Sequence, residues 1–145
     1  MNGETFPIGT LARRADVNVQ TVRYYERIGL FPKPTRTPSG YRRYTEADLA
    51  RLHFIRHAAG LGFTLTETQE LLALRARRGA PCKTVRTRAE TKLAAIDAKL
   101  SELRELRDAV ARLVHTCAGD TAVEHCSILA VLAEPESQKK GKKNA

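Results

Sequence analysis

The sequence predicts a mainly α-helical fold, and three observations lead to this prediction. Two short segments with apolar residues at helical spacing are joined by a tight link, and a basic turn rich in proline and tyrosine follows them. A long segment without glycine or proline comes next, with apolar residues at alternating spacings of four and three. The chain's three cysteines flank this segment. The predicted architecture is a winged helix-turn-helix domain, one long coiled-coil helix and a C-terminal loop.

Length and charge limit the possible partners. The chain has 145 residues and a net charge of +9, which allows one compact domain with an extended appendage and favours a polyanionic partner. The basic excess lies in the first half and in a lysine-rich tail over 134–145, which has little to bury and is predicted to be disordered. No apolar run is long enough to span a membrane, and the start lacks a signal-peptide pattern. We therefore predict a cytoplasmic protein without a membrane partner.

Capping patterns mark the helices of the first domain. Asn18 is a suitable N-cap for the second helix. Thr45 with Asp48 is an acidic variant of the capping box at the third helix, and Thr64 with Glu67 is a full capping box at the fourth. The apolar stripes of these last two helices predict a core that contains Leu49, Leu52, Ile55, Ala59, Leu65, Leu71, Leu72 and Leu74. The domain is predicted to span residues 1–78.

A helix-turn-helix unit places its second helix in the major groove of double-stranded DNA, beside a wing that reaches the backbone. Arginines on these elements can neutralise phosphates, and a tyrosine can fix the wing against the backbone. The alternative is a packing helix with solvated charges, but the clustering of basic residues on helix and wing favours DNA. The predicted contacts are Thr21, Arg23, Tyr24 and Arg27 on the helix and Arg36, Tyr41, Arg42 and Arg43 on the wing.

The long helix carries a coiled-coil seam, which predicts a dimerisation helix over residues 79–116. Extending the seam upstream reaches Cys82, and extending it downstream reaches Cys117. Arg107 is the one polar interruption. The apolar seam positions are Ala89, Leu93, Ile96, Leu100, Leu103, Val110 and Val114.

The seam decides how the cysteines can meet. Cys82 and Cys117 of one helix lie about 50 Å apart at about 1.5 Å per residue, so they cannot bind the same ion within one chain. A parallel dimer would pair Cys82 with its own copy. An antiparallel dimer instead brings Cys82 of one chain to Cys117 and Cys126 of the other, in two identical sites. The sequence therefore predicts a metal-binding loop and short helix over 117–133.

The ligand types limit the metal. Three thiolates select thiophilic ions and suit mercury(II), lead(II) or cadmium(II). Zinc(II) prefers four ligands, so His115, His125 or Asp120 would have to supply the fourth. Each of these residues also has an ordinary role, at a helix end, in a loop or in a turn.

Two other classes of function remain open. A thiol enzyme needs a nucleophilic cysteine beside a base, and His125 precedes Cys126. Neighbouring residues rarely aim at each other in this way, and no acidic residue that would orient the histidine follows. A DNA-binding protein that senses nothing would use the same positive charge, with structural cysteines. We therefore expect no enzyme, and the alternative of a DNA-binding protein that senses nothing stays open.

The motifs "TVRYYERIGL" and "GYRRYTEADLARL", with the sequence around them, resemble the MerR family of transcription regulators, and the resemblance covers about residues 7–133. It implies a homodimer that binds a promoter with an overlong spacer, where metal binding changes the DNA twist so that RNA polymerase engages. It also implies recognition-helix contacts at Arg23 and Tyr24. The wing contacts that it implies are Arg36, Tyr41 and Arg42.

The cysteine pattern is similar to one branch of that family. A cysteine at the position of Cys82 is typical of divalent-ion sensors, whereas copper and gold sensors have serine there. Zinc sensors commonly add a cysteine and a histidine where this sequence has Thr116 and Thr121. The remaining three cysteines are most similar to the mercury(II) regulators, and lead and cadmium sensors share much of the pattern. The resemblance thus implies a repressor and activator of a heavy-metal resistance operon.

Overall fold

A computed structural model describes residues 3–32 and 35–136 of the chain. Its elements are α1 (Ile8–Arg14), α2 (Val19–Arg27), β1 (Thr35–Arg36), β2 (Arg42–Arg43), α3 (Glu46–Gly60), α4 (Leu65–Ala76), α5 (Cys82–Thr116), a 3-10 turn (Val123–His125) and α6 (Ser127–Ala133). The predicted mainly α-helical fold class is confirmed. The part of the predicted basic tail from residue 137 onwards lies outside the described residues. Within the described ranges, no helix combines the length and the apolar character needed to cross a membrane.

Side-chain caps begin α2 and α3. The Oδ1 atom of Asn18 accepts a hydrogen bond from the Thr21 N–H at 2.7 Å, as expected for the start of α2. At α3 the acidic variant forms a complete capping box, because the Asp48 carboxylate accepts from the Thr45 N–H at 2.7 Å while the Thr45 hydroxyl accepts in return. These caps accept hydrogen bonds from backbone N–H groups at the start of each helix, which have no acceptor within the helix.

The cap of α4 differs from its prediction. Thr64 accepts a hydrogen bond from the Glu67 N–H at 3.1 Å, but the Glu67 carboxylate lies 2.8 Å from Lys92 Nζ. The full capping box expected there is therefore only half formed, because an ion pair to α5 competes for the carboxylate. A second pair, between Glu70 and Arg88 at 2.8 Å, also joins α4 to the first turns of α5.

The chain divides into two compact units, residues 1–92 and 93–145, and the division falls within α5. The domain bounds at 78 and 116 stay predictions. In the first unit, α1, α2 and α3 surround one apolar core, whose largest fully buried side chains include Tyr44, Phe31, Leu11, Leu30, Leu52, Ile55 and Val22. On α3, Ala58 is buried instead of the expected Ala59, because Ala58 continues the three-residue spacing from Ile55.

The wing is a short antiparallel hairpin. Its register pairs Thr35 with Arg43 and Arg36 with Arg42. Gly40 in the turn has φ 86°, in the left-handed region that favours glycine. At the base of the hairpin, backbone hydrogen bonds of 2.9 Å in both directions join Tyr44 to Phe6. The hairpin is thus anchored on the segment that precedes α1.

Helix α5 is continuous over 35 residues, and none of its residues is buried. In the second unit the seam side chains stay open to solvent, with Leu100 44% exposed and Leu103 60% exposed. An apolar stripe of this kind marks an interaction surface. At the end of α5, the Ser127 hydroxyl donates to the Thr116 carbonyl at 2.9 Å, which ties the start of α6 to the end of the long helix.

Candidate DNA interface and cysteine site

Helix α2 presents three of its four predicted DNA contacts to solvent. Val22 is fully buried and fixes the inner face of the helix, while Arg23, Tyr24 and Arg27 are exposed. The Arg27 guanidinium lies 5.6 Å from the centre of the Tyr24 ring, within the range of a cation–π attraction. Thr21 is half-buried, and its hydroxyl donates to the Asn18 cap at 2.9 Å. The exposed face is therefore basic and aromatic, and side chains of these types can contact DNA phosphates.

The four predicted wing residues fall into two groups. Arg36 and Tyr41 are exposed, and Tyr41 is 73% accessible at the tip of the hairpin. Arg43 donates from Nη2 to the Thr5 carbonyl at 2.7 Å and is half-buried. Arg42 donates from Nη1 to the Glu26 carboxylate at 2.6 Å. The chain's own polar groups therefore already hold two of the four wing side chains that we predict to contact DNA.

Sequence reasoning missed Glu26, which lies at the centre of a polar cluster between α2 and the wing. Its carboxylate accepts from Arg42 and from the hydroxyl of Tyr44, and its side chain is only 8% exposed. Burial raises the pKa of the Tyr44 hydroxyl strongly, and the hydrogen bond to Glu26 raises it further. The available signal was one acidic residue within the basic second helix, but the sequence does not reveal its partners.

The structure brings two of the three predicted metal ligands together. Cys117 directly follows α5, Cys126 directly precedes α6, and both are half-buried. Gly119, with φ 79°, allows the chain to reverse between them. The Cys126 pKa is lowered by the Leu129 N–H most strongly, then by the Ile128 N–H and the Cys117 side chain, while burial opposes the shift. A lowered pKa favours the thiolate, the form of cysteine that binds metals.

Cys82 is the third predicted ligand and lies in the first unit, where it is exposed as the first residue of α5. Among residues 3–32 and 35–136 of one chain, no three His, Cys, Asp or Glu side chains form a group that could hold a metal ion. The two thiols that lie together can supply two soft ligands. Any further ligand has to come from outside this pair, such as a second chain.

The arrangement also bears on the alternative of a thiol enzyme. The groups that shift the pKa of Cys126 are backbone N–H groups and another thiol, and His125 is not among them. A cysteine nucleophile needs a base within hydrogen-bond reach. These groups favour the thiolate of Cys126, and none of them is the base that a cysteine nucleophile needs.

Known protein families match both the helix-turn-helix elements and most of the long helix. The family model described as MerR HTH family regulatory protein matches residues 6–75, and the model described as MerR, DNA binding matches residues 49–113. The mercuric resistance operon regulatory protein of Bacillus cereus is 38% identical over 88% of this chain and 96% of its own length.

Two solved structures are similar over most of the chain. The transcription regulator PbrR691 from Ralstonia metallidurans CH34, in complex with lead(II), has a TM-score of 0.80 and 38% identity, and the match covers 88% of this chain and 99% of that one. The dual function regulator MerR from Bacillus megaterium MB1, in complex with mercury(II), has a TM-score of 0.71 and 33% identity over 89% of this chain and 100% of that one. Both matches therefore extend over the helix-turn-helix elements and the long helix.

Proposed function

Because the chain belongs to the MerR family and is a metal-responsive transcription regulator, we propose that it senses mercury(II) through three cysteines shared across a homodimer. Cys117 and Cys126 of one chain would hold the ion together with Cys82 of its partner. The observation that carries the proposal is the pairing of Cys117 with Cys126 at one end of α5, while the third cysteine begins the same helix at its other end.

The proposed dimer is an antiparallel coiled coil formed by α5. Its support is the stripe of seam side chains that stays exposed in one chain, because apolar residues at heptad spacing are stable only when a second helix covers them. In an antiparallel pair, each end of one helix meets the opposite end of its partner. The thiol at the start of α5 then adds to the two thiols that the partner's loop holds, and symmetry gives two such sites.

The choice of mercury(II) rests on the ligands and on the relatives. Thiolates are soft ligands, and three of them suit mercury(II) without a fourth ligand. The Bacillus cereus relative is named for mercuric resistance, and the Bacillus megaterium regulator was solved with mercury(II). Lead(II), cadmium(II) and zinc(II) are the alternatives, and lead(II) has its own support in the complex of PbrR691. The regulated genes would then form a heavy-metal resistance operon.

We propose promoter DNA as the macromolecular partner, with α2 in the major groove and the wing on the phosphate backbone. Exposure and charge support contacts from Arg23, Tyr24 and Arg27 on α2 and from Arg36 and Tyr41 on the wing. Thr21, Arg42 and Arg43 complete the proposed interface, although the structure holds their side chains in bonds within the chain.

In the proposed mechanism, the three cysteines link the loop of one chain to the partner's helix start, directly beyond the partner's DNA-binding domain. This link favours one of two arrangements of the dimer and so alters the spacing of its two DNA-binding domains. The altered arrangement would twist the promoter so that RNA polymerase engages it. We propose that the regulator acts in the cytoplasm.

A metal titration tests the proposal. Purified reduced dimer is titrated with mercury(II), lead(II), cadmium(II) and zinc(II) in excess small thiol, and the sulfur-to-metal charge-transfer absorbance is recorded. We expect mercury(II) to be retained and to be lost in each single Cys→Ser variant. His125→Ala is the matched control, because it changes the residue beside Cys126 without removing a thiol. Retention of lead, cadmium or zinc in place of mercury would reassign the signal.

A second experiment separates sensing from DNA binding. Cys82→Ser should bind promoter DNA as the wild type does but lose activation by mercury(II) in a transcription assay. Activation that survives in Cys82→Ser would rule out the shared site. If replacement of all three cysteines leaves DNA binding and transcription unchanged, the protein would be a DNA-binding protein that senses nothing.

A further inference from the structure

We propose that Glu26 is a positioning residue that fixes the wing to the recognition helix α2, and that Arg42 acts through Glu26 instead of contacting a phosphate independently. The proposal rests on the DNA interface described above. It changes the role of Arg42 from an independent phosphate contact to one half of a link within the chain.

The geometry joins two elements that the sequence separates. Glu26 lies in the last turn of α2, whereas Arg42 lies on β2 and Tyr44 directly follows that strand. Arg42 Nη1 is 2.6 Å from Glu26 Oε2, and the Tyr44 hydroxyl donates to Glu26 Oε1. Both carboxylate oxygens are therefore occupied, one by each partner. The Glu26 side chain is 8% exposed and the whole of Tyr44 is buried, so the carboxylate is shielded from solvent, whereas the Arg42 side chain is 38% exposed.

The charge of Glu26 is informative because it is unfavourable for the proposed function. An acidic residue beside a surface that binds phosphates repels them, and removing it should strengthen binding if charge alone mattered. The chain nevertheless keeps this carboxylate between the two elements that would contact DNA. A charge-assisted hydrogen bond is short and directional, so it can hold the hairpin at one angle to α2.

Tyr44 connects the link to the core. A tyrosine hydroxyl is protonated at physiological pH, so it can donate to the Glu26 carboxylate. Its ring lies 6.1 Å from that of Phe31 within the core. The wing is thus connected to the core by an apolar ring and to α2 by a polar bond. The consequence is that Tyr41 at the wing tip and Arg23 on α2 reach the DNA together.

The test uses full-length dimer and a labelled duplex of the sequence that the wild type selects from a random library. Glu26→Gln keeps the shape and removes the charge, and we expect binding about tenfold weaker, the size of one charge-assisted hydrogen bond. Glu46→Gln is the matched control, because Glu46 forms an exposed pair with Arg14 in the same unit. The control should bind as tightly as the wild type or slightly more tightly.

Hydroxyl-radical footprints and a double-mutant cycle identify the cause. Glu26→Gln should lose protection at the wing contacts and keep it at the contacts of α2, and Arg42→Gln should add no further loss to it. Additive effects, or a Glu26→Gln variant that binds more tightly than the wild type, would overturn the proposal. Arg23→Ala tests the interface separately, because binding unaffected by that change would refute the DNA interface itself.

Tyr44→Phe keeps the proposal testable if Glu26→Gln fails to fold. Tyr44 is fully buried and cannot touch DNA, and phenylalanine retains its ring. We expect this variant to weaken binding severalfold with the same selective loss of wing protection. Unchanged affinity and an unchanged footprint in a folded Tyr44→Phe variant would contradict a positioning role for the cluster.

Discussion

Replacing Leu100 with alanine tests the dimer seam, and the size of the effect follows from the exposure of this side chain. Burial of a whole leucine side chain contributes about 1.5–3 kcal/mol. Leu100 is 44% exposed in one chain. Covering this exposed part in a dimer contributes about 1 kcal/mol per chain and about 2 kcal/mol per dimer. Loss of this contribution should raise the dimer dissociation constant about thirtyfold.

Sedimentation analysis over a wide concentration range measures this constant. Glu105→Ala is the control, because it places the same residue on a face of α5 away from the seam and should leave the constant unchanged. Helix content from circular dichroism should be the same in both variants. An unchanged constant in Leu100→Ala, or equal effects of the two substitutions, would refute the seam as the dimer interface.

Three further predictions concern stability and thiol reactivity. Leu52→Ala should lower the free energy of unfolding by about 2–5 kcal/mol in denaturant titration, because Leu52 is fully buried. Glu67 has a lowered pKa, chiefly through its bond to Lys92. Its stabilising effect is therefore present above the unfolded pKa and is lost as the pH falls through the folded one, so Glu67→Gln should lose less stability on acidification than the wild type. Alkylation of Cys126 by iodoacetamide, followed site by site with mass spectrometry, should reach half its maximum rate at a lower pH than in an unfolded peptide.

Each of these predictions has a result that contradicts it. A loss below about 1 kcal/mol for Leu52→Ala would mean that the core around α3 is not packed as described. If Glu67→Gln and the wild type lose the same stability on acidification, the bond between Glu67 and Lys92 makes no measurable contribution to stability. A half-maximal alkylation rate at or above the pH found for the peptide would contradict the stabilised thiolate.

Local features of the fold were predictable from the sequence because they depend on residues close together in the chain. The cap at Asn18 and the box at Thr45 follow from side chains that reach the first turn of their own helix. The full capping box predicted at Thr64 is only half formed, because the Glu67 carboxylate pairs with Lys92, which lies on another helix. Local patterns do not reveal which of two partners a carboxylate takes.

In the candidate site, too, the sequence predicts the local features but not the contacts between separate elements. Sequence spacing predicts a loop between Cys117 and Cys126, and the structure describes two free, half-buried thiols, of which Cys117 lowers the pKa of Cys126 through a hydrogen bond. The cluster around Glu26 joins α2 to the wing through side chains from different elements, so no periodic pattern reveals it. The part played by Cys82 stays a prediction, because it depends on a second chain.

A mixed dimer tests the central claim of a site shared between chains most directly. One chain carries Cys82→Ser and the other carries both Cys117→Ser and Cys126→Ser, and mercury(II) bound per dimer is measured in excess small thiol. By symmetry, the mixed dimer has one complete three-cysteine site and neither parent homodimer has any. We predict about half of the wild-type capacity in the mixed dimer and none in the parents. No recovery in the mixed dimer, or full binding by either parent, would contradict the shared site.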